Sequence, residues 1–133
     1  MVDTLNATAL TGIRVLDLGQ IYNGSYATMM MAMAGADVIK VEPLRGETLR
    51  GRGPASPSAF AFNFLNQNKR SITVNLKDSR GLALFKRLVP EADVVLENFA
   101  PDTMIDLGLS YDQLREINPK LIYAAVMTAL FQR

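Results

Sequence analysis

Five short apolar runs, separated by segments of helical character, constrain the fold of this chain more than any other feature. The runs are short and rich in β-branched residues, and most are apolar on both faces. This is typical of strands in a parallel sheet that is covered by helices. They occupy residues 13–18, 37–42, 71–76, 93–97 and 121–127. Strand, helix and strand follow closely, so we predict βαβ units and an α/β fold, with a parallel sheet flanked by helices.

Helix signals fill the spaces between these runs. The pattern predicts helices over residues 26–34, 78–89 and 111–117. Gly35 suits the C′ position of the first helix, because glycine adopts the left-handed conformation without penalty. Ser110 and Gln113 match a capping box that opens the last helix.

Residues 43–58 break the alternation. The segment holds three prolines, three glycines and three arginines, which predicts a long loop of the kind that often carries function. Directly after it, Phe60, Phe62 and Phe64 alternate with smaller residues. That pattern fits a strand face or a short buried segment.

The composition argues against several classes of function. The chain has 133 residues, which suits one domain. It has no cysteine and no histidine, so it lacks thiolate chemistry, the commonest general base and the commonest metal ligand. A net charge of +1 gives no strong attraction to nucleic acid or to an anionic membrane. The N-terminus has no apolar signal core, and the longest apolar stretch is shorter than the ~20 residues of a membrane span. We therefore expect a soluble, cytoplasmic protein.

Ligands of open parallel sheets bind beyond the carboxyl ends of the strands. We expect four segments there: the glycine-containing turn 19–25, the arginine-bearing loop 42–52, the basic stretch 68–71 with Lys77, and residues 97–99. The turn suits an anion, and arginine suits phosphate. Each also fits a plainer interpretation as a simple turn, a solvated loop or a basic pair that faces water.

A dinucleotide-binding domain is one alternative. Glu42 lies 18 positions after Gly24, near the place where such domains use an acidic residue on a ribose hydroxyl. The turn holds only Gly19 and Gly24 and lacks the full glycine pattern, which argues against this alternative.

Eight stretches, taken in order, resemble the family III CoA-transferases, which include formyl-CoA transferase, carnitine CoA-transferase and α-methylacyl-CoA racemase. Two examples are Gly-Ala-Asp-Val-Ile-Lys-Val-Glu at 35–42 and Ala-Asp-Val-Val-Leu-Glu-Asn-Phe at 92–99. The full set is 10–18, 26–29, 35–42, 46–51, 66–71, 92–99, 107–109 and 114–119. The resemblance covers about 10–127, and its specificity rests on the order and spacing of the stretches.

The resemblance implies a Rossmann-like N-terminal domain that binds coenzyme A, without a metal. It implies contacts from the turn after the first strand, the basic loop after the second, the end of the third and the Asn-Phe pair after the fourth. The residues at these places are Gln20, Ile21, Tyr22, Arg45, Arg50, Val74, Lys77, Asn98 and Phe99. Among them, the two loop arginines are the expected phosphate contacts.

The resemblance also implies where the chemistry lies. The transferases use one aspartate carboxylate as a nucleophile that forms covalent intermediates. This aspartate follows a glycine-rich segment after the fifth strand, which would place it beyond Arg133, so we assign no catalytic residue. We expect residues 1–133 to be a single incomplete α/β CoA-binding domain. It would be an N-terminal fragment, inactive alone, of an enzyme that moves CoA between an acyl-CoA thioester and a carboxylic acid.

The partners that follow are acyl-CoA and a carboxylic acid, with no nucleic acid and no membrane. The full-length family forms homodimers. Three alternatives stay open: a stand-alone CoA- or nucleotide-binding module, a fragment of an acyl-CoA racemase, and the dinucleotide-binding oxidoreductase domain.

Overall fold

A computed structural model describes residues 8–50 and 57–126, without the side chains of residues 57–59. It contains a five-stranded parallel sheet flanked by helices, which confirms the predicted α/β class. The strands are β1 (Arg14–Asp17), β2 (Asp37–Glu42), β3 (Arg70–Thr73), β4 (Val94–Glu97) and β5 (Ile122–Ala125). The helices are α1 (Asn23–Met33), α2 (Pro57–Leu65), α3 (Ser79–Leu88), α4 (Thr103–Asp106) and α5 (Tyr111–Ile117).

The strand order is β3-β2-β1-β4-β5, so the first strand lies in the middle of the sheet. β1 pairs with β2 through Arg14 opposite Asp37, and with β4 through Val15 opposite Val94. The chain winds outward from β1 in one direction and then, from β4, in the other. Such a reversal leaves a crevice beyond the carboxyl ends of the two central strands, where ligands of open sheets bind.

Side chains that alternate along β1 divide the core between the two faces of the sheet. Leu16 faces the larger cluster, where Phe85 of α3 and Leu114 of α5 are also fully buried. Val15 faces the smaller cluster, which includes Ala32 of α1. The three central strands β1, β2 and β4 are buried on both faces, whereas the edge strands β3 and β5 are partly exposed. Burial on both faces explains why the central strands direct apolar side chains toward both clusters.

The segment after the long loop forms a helix, and the expectation of a strand or a short buried segment there is wrong. Helix α2 begins at Pro57, so the predicted loop 43–58 also extends too far. Phe62 and Leu65 are buried three residues apart. Phe60 and Phe64 stack on each other on the exposed side, with ring centroids 6.2 Å apart. Neighbours at these spacings share one side of a helix, so the alternating pattern arose from two helical pairs.

Other boundaries move by a few residues. Helix α1 begins at Asn23 instead of residue 26, which shortens the turn after β1. β3 ends at Thr73 instead of residue 76, so residues 74–77 lie beyond the sheet. The short helix α4 was not predicted. The arginine at position 52 and the end of the predicted strand at position 127 lie outside the described residues.

Two cap predictions are confirmed. Gly35 has a φ of +97°, as a C′ glycine requires. The Ser110 side chain accepts from the backbone of Gln113, and the Gln113 side chain accepts from the Ser110 amide in return. The glycine follows the end of α1 and the capping box opens α5, where the sequence signals predicted them.

Candidate functional site

A groove of about 520 Å³ lies at the carboxyl ends of the first four strands. Gln20 follows β1, Arg45 follows β2, Val74 and Lys77 follow β3, and Phe99 follows β4, and all five line the groove. They belong to the set of residues that the sequence predicts as ligand contacts. The volume is in the usual range for small-molecule sites.

The groove is positively charged. Arg45 and Lys77 line it and are both exposed. Its one acidic lining residue in the described chain is Glu42, whose carboxylate is already paired with Arg50. Leu44, among other apolar side chains, lines the remaining wall. An elongated anion with apolar parts fits this combination of charge and surface.

Arg50 lies outside the groove lining, because it is committed to Glu42. Its Nε donates to Glu42 Oε2 at 2.6 Å and its NH2 donates to Oε1 at 2.8 Å. Its guanidinium stacks over the Phe62 ring at 3.9 Å. Burial raises the pKa of Glu42, but hydrogen bonds from Arg50, Ser71 and the Glu47 amide outweigh it and lower the pKa to about 2. A phosphate contact by Arg50 remains a prediction.

Three buried or half-buried side chains hold the turn after β1. The Gly19 amide donates to Asp17 Oδ1 at 2.8 Å. The Gln20 amide donates to Asn98 Oδ1 at 2.7 Å, and Asn98 Nδ2 donates back to the Gln20 carbonyl at 2.8 Å. The Ile21 amide donates to Glu47 Oε1 at 2.9 Å. Consecutive amides are thus bound by groups from three parts of the chain.

Ile21 adopts a left-handed conformation, with a φ of +59°. This is uncommon for a β-branched residue and costs on the order of 1–3 kcal/mol, which the surroundings must supply. Its side chain and that of Tyr22 are exposed by 40% and 56% and point away from the core. Neither lines the groove, so their contact with a ligand stays a prediction.

Gly19 and Gly24 face each other instead of open space. A Cβ on Gly24 would lie 2.9 Å from the Gly19 Cα and 3.1 Å from the Leu96 side chain. The two glycines therefore let the turn pack against the start of α1. This is the plainer of the two interpretations of the turn, and it accounts for both glycines without a ligand.

A buried polar network lies between β1 and α1. Lys69 Nζ donates to Asp17 Oδ2 at 2.9 Å and to Thr28 Oγ1 at 2.8 Å. Lys40 Nζ lies 3.9 Å from Asp17 Oδ2 and donates to the Gly19 carbonyl at 2.7 Å. Burial lowers the pKa of Lys69, although Asp17 opposes the shift. The network connects β1, α1 and the turn after β1 through buried hydrogen bonds.

The network corrects the interpretation of Lys69. The sequence placed the basic stretch 68–71 near phosphate or in water, beyond a carboxyl strand end. Lys69 is instead buried against Asp17, directly before the start of β3. Arg70 pairs with Asp37 at the amino end of β2, and its side chain is 64% exposed, as the plainer interpretation of a basic pair that faces water expects.

Phe99 separates the groove from a second cavity of about 330 Å³. The buried carboxylate of Glu97 lines that cavity, accepting from the Phe99 amide at 2.8 Å and from the Tyr123 hydroxyl at 3.1 Å. Burial, together with the Glu97 charge, raises the pKa of Tyr123, so its hydroxyl remains a donor. Glu97 thereby fixes the backbone at Phe99.

Residues 8–50 and 57–126 contain neither a candidate metal centre nor a candidate membrane span. No three histidine, cysteine, aspartate or glutamate side chains cluster as metal ligands there. Across the same ranges, no helix combines the length and the apolar character that crossing a bilayer requires.

Comparison with known proteins links this geometry to one family. The family model described as CoA-transferase family III matches residues 10–128. A formyl-CoA:oxalate CoA-transferase of Streptomyces coelicolor is 41% identical over 124 residues, which cover 92% of this chain and 30% of that protein. A succinate–glutarate CoA-transferase of Agrobacterium fabrum is 45% identical over 126 residues, covering 88% of this chain and 32% of the relative.

Solved structures agree with these relatives. A crystal structure of a hypothetical protein from Mycobacterium tuberculosis superposes with a TM-score of 0.86 at 44% identity, covering 92% of this chain and 34% of that one. A CAIB/BAIF family protein from Brucella suis gives a TM-score of 0.82 at 40% identity, with coverage of 89% and 33%. The chain therefore spans about a third of the length of the relatives that it matches.

Proposed function

Because the chain belongs to CoA-transferase family III, as the ordered sequence stretches predicted, we propose that its groove binds the coenzyme A portion of an acyl-CoA thioester. The observation that carries the proposal is the groove itself, in which Arg45, Lys77 and Phe99 converge at the carboxyl ends of parallel strands. Coenzyme A is an elongated anion with phosphates at its nucleotide end and an apolar arm. It matches a groove that is cationic and partly apolar.

Each predicted contact has a defined part in this proposal. Arg45 and Lys77 bind phosphates, because both are exposed cations in the groove lining and neither is paired with a carboxylate in the described chain. Phe99 offers an aromatic surface, and Val74 adds apolar wall. Gln20 lies on the turn that is held from three sides, so its position is defined before a ligand arrives.

The larger enzyme activity is part of the same proposal. The named relatives are CoA-transferases, and this chain covers about a third of their length. We assign it to an enzyme that moves CoA between an acyl-CoA thioester and a carboxylic acid, and that works as a cytoplasmic homodimer. No catalytic residue is assigned within the chain, and its contribution is to bind and orient the thioester.

The geometry argues against a dinucleotide-binding oxidoreductase domain. Such a domain needs a free acidic residue at the end of the second strand for a ribose hydroxyl. Here Glu42 is 3% exposed and bonded by Arg50 and Ser71. It also needs free amides in the first turn for a pyrophosphate, but the amides of residues 19–21 donate to protein side chains.

Isothermal titration of the purified chain with CoA tests the proposal, with NADH as the competing ligand. Arg45→Met and Lys77→Met should each weaken CoA binding by about tenfold, the loss of one charge-assisted contact. Lys120→Met is the matched control, because Lys120 is an exposed lysine at the opposite, amino end of β5. Saturable NADH binding without CoA binding would reject the proposal.

A further inference from the structure

Glu47 lies in the loop after β2 and is 2% exposed. Its Oε1 accepts from the Ile21 amide at 2.9 Å, and its Oε2 accepts from the Leu49 amide at 3.2 Å. Its own amide donates to Glu42 Oε2 at 3.0 Å. In the described chain, its carboxylate has backbone amides as partners and no lysine or arginine within ion-pair distance.

These bonds connect two walls of the groove. Gln20, next to Ile21, lines one wall, and Arg45, two residues before Glu47, lines the other. The bond from the Ile21 amide to the Glu47 carboxylate joins the turn directly to the loop. The separation between Gln20 and Arg45 therefore depends on this buried carboxylate.

The conformation of Ile21 gives this carboxylate more than a packing role. A β-branched residue leaves the left-handed region unless its surroundings hold it there. The Asp17 and Asn98 bonds act on the preceding amides of the turn, whereas Glu47 acts on the strained residue itself. Loss of the Glu47 acceptor should release Ile21 and with it the position of Gln20.

We propose that Glu47 is a positioning residue for CoA, which holds the turn after β1 in its left-handed conformation and fixes it against the loop that carries Arg45. The proposal rests on CoA binding by the groove. It assigns to Glu47 no contact with the ligand, only control of the residues that line the groove.

The test compares Glu47→Leu, which removes both acceptor oxygens, with Glu47→Gln, which keeps one. Asp37→Asn is the control, because Asp37 pairs with Arg14 and Arg70 at the far end of the sheet. Amide hydrogen exchange measures protection of Ile21 by NMR, and isothermal titration measures CoA affinity. Hydrogen exchange and titration are both measured under conditions in which each variant is folded.

Glu47→Leu should lower the protection of the Ile21 amide by on the order of 10- to 100-fold, the loss expected for a hydrogen bond to a charged group. CoA affinity should fall by about tenfold or more. Glu47→Gln should show smaller losses of both Ile21 protection and CoA affinity. It also provides the test if Glu47→Leu does not fold. Asp37→Asn should leave both unchanged, even where it lowers global stability.

The outcomes separate this proposal from the proposed function. A wild-type chain that fails to bind CoA would overturn the proposed function, and with it the role of Glu47 in binding. Unchanged Ile21 exchange in Glu47→Leu and Glu47→Gln would overturn the positioning role alone. So would an affinity loss no greater than that of Asp37→Asn, since it would reflect stability.

Discussion

Replacing Glu42 by glutamine should reveal how strongly a buried ion pair stabilises the loop beside the groove. The pKa of Glu42 is lowered from 4.5 to about 2, through Arg50, Ser71 and the Glu47 amide acting against burial. A difference of this size corresponds to at most roughly 3 kcal/mol of stability. Because the folded pKa is the lower one, this stability is present above about pH 4.5 and is lost as the pH falls toward 2.

Urea unfolding of the wild type and of Glu42→Gln at several pH values measures the effect. The variant should be less stable by up to roughly 3 kcal/mol at pH 7, and the difference should shrink to less than about half of that at pH 3, where most of the linkage is already lost. Glutamine mimics the neutral, protonated carboxyl in size and lacks the charge of the ionised carboxylate. The other carboxylates titrate in both proteins. The pH dependence of the stability difference between wild type and variant therefore reports on Glu42 alone.

Glu91→Gln is the matched control. Glu91 also pairs with an arginine, Arg14, at 2.8 Å, but its side chain is 76% exposed. Exposed ion pairs contribute about 0–1 kcal/mol, so this variant should change little. Equal effects of the two substitutions would refute the reasoning, and so would a Glu42→Gln difference that stays constant from pH 7 to pH 3.

Three further substitutions test the packing around the turn and the helix caps. Gly24→Ala should destabilise the chain by about 1–3 kcal/mol in urea titration, because the new Cβ meets Gly19 at 2.9 Å; an unchanged midpoint would contradict the close approach. Ser110→Ala should lower the free energy of unfolding by about 1 kcal/mol, measured by thermal unfolding, because the capping box of α5 is lost. A loss well below about 0.5 kcal/mol, the low end for measured caps, would mean that the capping box adds nothing. Lys69→Met should lower the free energy of unfolding by roughly 3 kcal/mol, because it weakens the pairing of the buried Asp17 carboxylate. Adding Asp17→Asn should recover part of this loss. Strictly additive effects of the two substitutions would argue against coupling between the two side chains.

The sheet was predictable from the sequence because its three central strands are buried on both faces. Neighbouring apolar residues, such as Val38 and Ile39 in β2 or Val94 and Val95 in β4, face opposite sides of the sheet, which a strand with one solvated face does not show. The ends of the elements were less predictable. Val74 and Leu76 are as apolar as strand residues, but they lie beyond the sheet, which ends at Thr73, and both line the groove. Apolar character indicates burial, and it does not distinguish a strand from a groove wall.

Helix α2 shows how two periods can be confused. Phe60, Phe62 and Phe64 repeat every second residue, which is the period of a strand. The helix satisfies the same spacing by stacking the first with the third and burying the second. A short segment holds too few repeats for the pattern alone to decide.

The candidate site was predictable in its place but not in its internal bonds. The rule that ligands bind beyond carboxyl strand ends, with the family resemblance, selects Gln20, Arg45, Lys77 and Phe99 from the sequence alone. Nothing local in the sequence marks Glu47 as the acceptor for Ile21, since the two are 26 residues apart. A carboxylate in a loop is usually exposed, and only tertiary packing reveals that this one is buried.

The three side chains that accept from the turn are synthesised at different times, so the hydrogen bonds of the turn form in a defined order during synthesis. Asp17 lies two residues from its amide, Glu47 lies 26 residues from its amide, and Asn98 lies 78 residues from Gln20. Closing the longest of these loops costs about 1 kcal/mol more in chain entropy than closing the 26-residue one. Contacts so distant in sequence form late in folding. The turn is therefore completed only after β4 docks beside β1, so a nascent chain that ends before residue 98 carries most of the sheet without the finished turn.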